Sequence, residues 1–120
     1  MIPVNVTVIE TVTASSKTLQ IQAIPEPIDL TGQGQGAIVI QWRIDQGSPW
    51  SFVMPPPPNT KGIEIKNPGS AFSDPGGGGQ KVWTWTRNAG QANGATYPYT
   101  IRVTDNTSTV CWDPTIINRP

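Results

Sequence analysis

Histidine is absent from this 120-residue chain, and cysteine occurs once, at Cys111. Histidine is the only side chain whose ordinary pKa lies near neutral pH, so the chain has no Ser-His-Asp or Cys-His nucleophile pair and no histidine general base. A structural zinc site needs four nitrogen or sulfur ligands, and a blue-copper site needs two imidazoles and a thiolate. One thiol supplies neither site. Carboxylate and carbonyl sites for calcium or magnesium stay open on this argument, and no residue is assigned as a metal ligand and no cofactor is expected.

An excess of charge of either sign is also lacking. Eight Lys and Arg residues balance eight Asp and Glu residues, which gives a formal net charge of zero. Such a chain has no net positive field to attract nucleic-acid phosphates or an anionic membrane. Charged residues make up only 13% of the chain, and a weakly charged polar surface favours self-association. We therefore expect a protein partner or self-association, and neither nucleic acid nor membrane.

Export signals are missing from the sequence as well. A single cysteine forms no internal disulfide, so nothing demands an oxidising compartment. Residues 1–5 lack the basic and apolar regions of a signal peptide, and no apolar run approaches the roughly 18 residues of a membrane span. These observations predict a cytoplasmic or otherwise unexported protein.

The dominant pattern that is present is alternation of apolar and polar residues with a period of two, which is typical of half-buried strands. Twelve glycines and 13 prolines separate these segments, and no helical stretch stands out. We predict one all-β sandwich over residues 1–120, with about seven to nine short strands. The strand segments begin near Val4, Leu19, Ile38, Trp50, Ile63, Val82, Tyr99, Val110 and Ile116, and the Ile38 segment is predicted to be central.

Several segments in a fixed order resemble cupredoxin-like Greek-key sandwiches. They are the Ile40-Gln41-Trp42 strand, the Gly62-Ile63-Glu64-Ile65 segment followed by Ala71-Phe72, and the Tyr97-Pro98-Tyr99-Thr100-Ile101 strand. The chain is also similar to small bacterial proteins of that shape that end in Asp-Pro-x-Ile-x-Asn, here Asp113 to Asn118. Cupredoxins carry a copper-binding Cys after the Tyr-x-Tyr strand and a nearby His, whereas Ile101 and Arg102 follow here. The resemblance implies the sandwich, cupredoxin-like or immunoglobulin-like, without a copper site.

Five tryptophans in a small chain invite two interpretations. Trp83 and Trp85 lie two residues apart, so they point to the same face of a strand. Together with Trp50 and Arg87 they form a candidate carbohydrate-binding site, in which indole rings stack on sugars. The alternative places Trp42, Trp83 and Trp85 in the core, and it is favoured because tryptophan is usually well buried and the opposite face carries two threonines.

Other features have structural interpretations beside functional ones. Paired carboxylates run glycosidases without histidine, but the eight acids here are scattered along the chain. Cys111 alternates with its neighbours, which predicts an exposed and inert thiol. The run Pro55–Pro58 is a stiff loop or a polyproline II ligand. The glycine-rich stretches Gly32–Gly36 and Gly76–Gly79 are predicted to be flexible connectors.

These observations favour a non-catalytic β-sandwich that acts as an interaction or assembly module. The alternative is a carbohydrate-binding domain that uses Trp50, Trp83, Trp85 and Arg87, and the third hypothesis is a small carboxylate-dependent hydrolase.

Overall fold

The structure is a computed structural model that describes residues 1–54, 61–73 and 78–120. Within these residues the chain forms eleven strands and no helix, so no helix that could cross a membrane is found there. The strands are β1 (Ile2–Val12), β2 (Lys17–Ile24), β3 (Ile28–Asp29), β4 (Ile38–Arg43), β5 (Ser51–Phe52), β6 (Ile63–Ile65), β7 (Phe72–Ser73), β8 (Val82–Arg87), β9 (Ala95–Thr104), β10 (Thr109–Trp112) and β11 (Thr115–Asn118).

The predicted all-β sandwich is confirmed, but the predicted count of about seven to nine strands is too low. Strands β3 and β7 have two residues each, and two residues are too short to show a period of two. The predictions for Pro55–Pro58, and for the part of the glycine-rich loop up to Gly77, lie outside the described residues.

The first sheet has the strand order β2-β1-β4-β8-β7. Its β1 and β2 form an antiparallel hairpin, while β1 and β4 run parallel through Ile2–Asn5. Strand β4 lies between β1 and β8, as expected for a central strand. The alternation of buried and exposed residues in Ile38–Arg43 follows the predicted phase, with Ile38, Ile40 and Trp42 turned inward.

The second sheet is built around β9, the ten-residue strand Ala95–Thr104. Strands β10 and β11 pair with one side of β9 in a single continuous register, separated by Asp113 and Pro114. Strands β5 and β6 pair with its other side, and β3 adds parallel to β11. Both sheets are therefore mixed, and each presents one apolar face to the other.

The core lies between the two sheets and is closed by large aromatic side chains. Trp42 of β4 and Tyr99 of β9 meet across it with ring centroids 5.4 Å apart, and Trp42 Nε1 donates a hydrogen bond of 3.2 Å to Tyr99 Oη. Phe52 packs edge-on against Trp83. Burial of these rings excludes water from the interior and supplies much of the stabilisation of the fold.

Candidate functional site

The tryptophans of β8 lie in the core. Trp83 is 2% exposed and Trp85 is 5% exposed, and Trp85 Nε1 donates to the carbonyl of Ile63 at 3.0 Å. The core interpretation of Trp42, Trp83 and Trp85 is therefore confirmed. Trp50 is half-buried and packs against the same core. In this arrangement the two β8 ring faces are not open to a sugar, which corrects the candidate platform of Trp50, Trp83, Trp85 and Arg87.

Arg87 is also fully buried, contrary to its place in that candidate platform. Its Nη2 donates to the carbonyls of Gly34 at 2.8 Å and Gly36 at 2.9 Å, and its Nη1 donates to Asn118 Oδ1 at 3.0 Å. The guanidinium therefore ties the glycine-rich connector to β8 and β11. Sequence reasoning missed this role, although Arg87 shares the strand phase of Trp83 and Trp85.

The carboxylates with shifted pKa values act as local hydrogen-bond acceptors. Asp105 Oδ1 accepts from the backbone N–H groups of Ser108 and Thr107, and these bonds lower the pKa of Asp105. Asp113 Oδ1 accepts from Thr100 Oγ1 at 2.7 Å, which lowers the pKa of Asp113. Among the described residues no three acidic or cysteine side chains form a group able to hold a metal ion. Cys111 is exposed, as predicted.

Among the described residues, the outer edge of β1 lacks a sheet partner at the end of the β1–β2 hairpin, which we call the hairpin arm (residues 6–23). The arm itself packs on the core through Val6, Ile21 and Ala23, and its strand β2 contacts β10. Strand β4 pairs with β1 only as far as Asn5, so beyond this point β2 is the only neighbour of β1 within the sheet among the described residues. Exposure rises along the arm, from a buried Val6 to 41% at Ile9 and 71% at Val12.

The hydrogen-bond phase of the arm identifies which backbone groups are free. The turn is closed by a bond of 2.8 Å from Thr13 N–H to the Ser16 carbonyl, and the register pairs Val12 with Lys17 and Ile9 with Gln20. Hydrogen-bonded and non-hydrogen-bonded pairs alternate in an antiparallel ladder, so the odd-numbered residues of β1 bond to β2. The even-numbered residues from Val6 to Val12 consequently turn their N–H and C=O groups toward the outer edge of β1.

The charges on the arm cancel each other. Glu10 and Lys17 are the only charged residues between positions 6 and 22, and their side chains form an ion pair of 2.5 Å. The hydrogen bond and charge of Glu10 raise the pKa of Lys17. Both side chains are about half exposed, so the pair contributes little to stability, but it leaves the arm without net charge.

A cavity of about 380 Å³ opens beside the start of the free edge. It is lined by Asn5–Thr7 of β1, by Arg43–Gln46 at the end of β4, and by Val82. It lies where the pairing of β1 with β4 ends at Asn5 and Arg43, while the pairing of β4 with β8 continues through a bond from Ile44 N–H to the Lys81 carbonyl. The cavity shares Val6 and Thr7 with the start of the free edge.

Comparison with protein-family models and with curated proteins finds no significant match to this sequence.

Proposed function

We propose that this protein is a non-catalytic interaction or assembly module whose binding surface is the free edge of β1 in the hairpin arm. The observation that carries the proposal is the seven-residue edge Val6–Val12, which has no partner strand among the described residues. A strand edge with unpaired N–H and C=O groups is a template on which another strand can form.

The usual devices that protect an edge strand are missing here. Residues 6–12 contain no proline, and the pairing with β2 runs without a bulge. The single charge, on Glu10, is held by Lys17. Ile9 and Val12 add exposed apolar surface to the edge. Natural monomers normally shield such edges, so an edge kept open supports a binding role.

The resemblance to cupredoxin-like Greek-key proteins is part of the same proposal, limited to the framework. A sandwich of this kind supplies a rigid body that holds an edge or a loop in place, while function resides in the surface that it presents. The absence of histidine from the chain supports a framework without the copper site of that group.

A non-catalytic role is supported by what the polar side chains do. Arg87 and Asn118 bond to each other, and Asp105 and Asp113 accept local hydrogen bonds. No specific observation favours the carbohydrate-binding or hydrolase alternatives, because Trp83 and Trp85 lie inside the core.

Two measurements on the full chain test the proposal. Sedimentation velocity from micromolar to millimolar protein detects self-association, and selection from a library of short extended peptides, followed by mapping of amide chemical shifts, detects a foreign strand on the arm. We expect at least one of the two to give binding. A protein that stays monomeric at every concentration and selects no peptide would contradict an interaction role.

A further inference from the structure

We propose that the partner of the free β1 edge is a second copy of this chain, paired antiparallel about a two-fold axis at Ile9. This inference rests on the proposed function and assigns its partner. The edge has the sequence Val6-Thr7-Val8-Ile9-Glu10-Thr11-Val12, which is nearly palindromic about Ile9.

The two-fold pairing matches side chains of the same kind. With Ile9 opposite Ile9 of the second copy, Val6 faces Val12 and Thr7 faces Thr11. The one mismatch places Glu10 opposite Val8. Pairs of β-branched residues directly across an antiparallel ladder are favourable, while like charges in the same place are not. An isologous interface requires such self-complementarity.

The backbone phase permits this register and excludes those shifted by one residue. Only the even-numbered residues of β1 present free N–H and C=O groups, so the hydrogen-bonded pairs between copies must join even residues to even residues. Pairing about Ile9 meets this condition through Val6 with Val12 and Val8 with Glu10. Pairing about Glu10 meets it too, but that register sets Glu10 against Glu10.

Charge and shape also favour a second copy. The arm is neutral because Glu10 and Lys17 pair within it, so it offers no field to attract an acidic or basic peptide. In the proposed register the Thr13–Ser16 turn of the second copy reaches Asn5, beside the cavity lined by Arg43–Gln46. Asn5 is paired with Arg43 of β4, so the intermolecular ladder ends at the pair of Val6 with Val12, and the turn of the second copy lies at the cavity.

The outer edge of β2 is a less suitable surface for the same partner. Two-fold pairing about Gln20 matches Leu19 with Ile21, but it sets Lys17 opposite Ala23 and Thr18 opposite Gln22, so neither outer pair joins two β-branched residues. The area buried by a seven-residue ladder is small compared with the roughly 1,200–2,000 Å² that a stable protein–protein interface buries. We therefore expect a reversible dimer whose population depends on protein concentration.

Proline scanning distinguishes the two edges of the arm. Glu10→Pro removes an N–H that faces the β1 edge, and the matched Lys17→Pro removes one that faces the β2 edge; both variants lose the same ion pair. Two-fold symmetry doubles each loss, so Glu10→Pro should weaken self-association roughly tenfold or more, while Lys17→Pro should leave it nearly unchanged. Circular dichroism checks that both variants fold.

Disulfide trapping tests the register in a Cys111→Ser background. Residues 9 of the two copies form a non-hydrogen-bonded pair with Cα atoms about 4.5 Å apart, within the range of a disulfide. Ile9→Cys should form a covalent dimer under mild oxidation, and the control Gln20→Cys should not. Trapping through Gln20→Cys alone, or loss of association in Lys17→Pro alone, would overturn the β1 pairing and leave the assembly function standing. A wild-type chain that is always monomeric but binds selected peptides would overturn the second copy as partner.

Discussion

Replacing the buried Arg87 by methionine should lower the free energy of unfolding by about 1–3 kcal/mol. The change removes three hydrogen bonds, two to the carbonyls of Gly34 and Gly36 and one to Asn118 Oδ1. Gly34 and Gly36 lie in an exposed connector, so water can replace Arg87 at their carbonyls. Asn118 is fully buried, so most of the loss in stability comes from leaving its Oδ1 without a hydrogen-bond donor.

An opposing contribution limits the size of the effect. Arg87 Nε has no hydrogen-bond partner among the described residues, and a buried guanidinium pays a desolvation cost of several kcal/mol that methionine avoids. We expect the destabilisation from losing the hydrogen bonds to Asn118 and to the Gly34 and Gly36 carbonyls to exceed the gain from avoiding this desolvation cost. Arg87→Lys should be no better than Arg87→Met, because lysine keeps the buried charge but lacks the planar fork that reaches three acceptors.

Urea unfolding followed by tryptophan fluorescence measures this change, since Trp42, Trp83 and Trp85 all lie in the core. Arg43→Met on the neighbouring strand is the matched control: Arg43 is exposed, and its substitution should stay within about 0.5 kcal/mol. A stability of Arg87→Met equal to or above that of the wild type would refute the view that Arg87 anchors the connector and β11.

Three further predictions concern the core. Tyr99→Phe leaves the buried Trp42 Nε1–H without its acceptor and should cost about 1–3 kcal/mol in the same urea assay; a loss below about 0.5 kcal/mol would contradict the pairing. Burial raises the pKa of Tyr99 above its ordinary value of 10.0, so the unfolded chain loses this proton first, and stability should fall as pH rises above about 10. Tyr99→Phe should remove the part of this fall in stability that Tyr99 causes. An unchanged dependence of stability on pH in the variant would contradict the assignment to Tyr99. Gly78→Ala would drive a methyl group into the Trp83 indole and should lower the free energy of unfolding by about 1–3 kcal/mol. The control Gly79→Ala makes only an ordinary contact of 3.6 Å with the Val82 carbonyl. Thermal melts that show equal losses of stability in the two variants would contradict the close approach of Gly78 to Trp83.

The strands of this protein could be predicted where one face is buried and the other is not. Ile38, Ile40 and Trp42 show the period of two because the sheet has an apolar and a polar side. Strands β3 and β7 were not predicted, because each has two residues, too few to show an alternation of apolar and polar side chains. Their existence depends on neighbours distant in the sequence, such as β11 beside β3.

The candidate surface was harder to predict than the fold. Arg87 was assigned to a binding surface by residue type, although its phase with Trp83 and Trp85 indicated the interior. The free edge of β1 is not encoded locally at all. It arises because β1 has eleven residues and its parallel neighbour β4 covers only Ile2–Asn5, which is a consequence of non-local pairing. The palindromic pattern about Ile9 was present in the sequence but acquires meaning only with that edge.

Amide hydrogen exchange by NMR, compared between dilute and concentrated protein, shows which edge of the hairpin arm is covered when the protein associates. The amides of Val8, Glu10 and Val12 face the free edge, whereas those of Ile9 and Thr11 bond to β2. If copies pair through β1, the amides of Val8, Glu10 and Val12 gain protection as concentration rises, while those of Ile9 and Thr11 are protected throughout. Unchanged exchange at all five amides, or a gain confined to the outer edge of β2, would contradict assembly through β1.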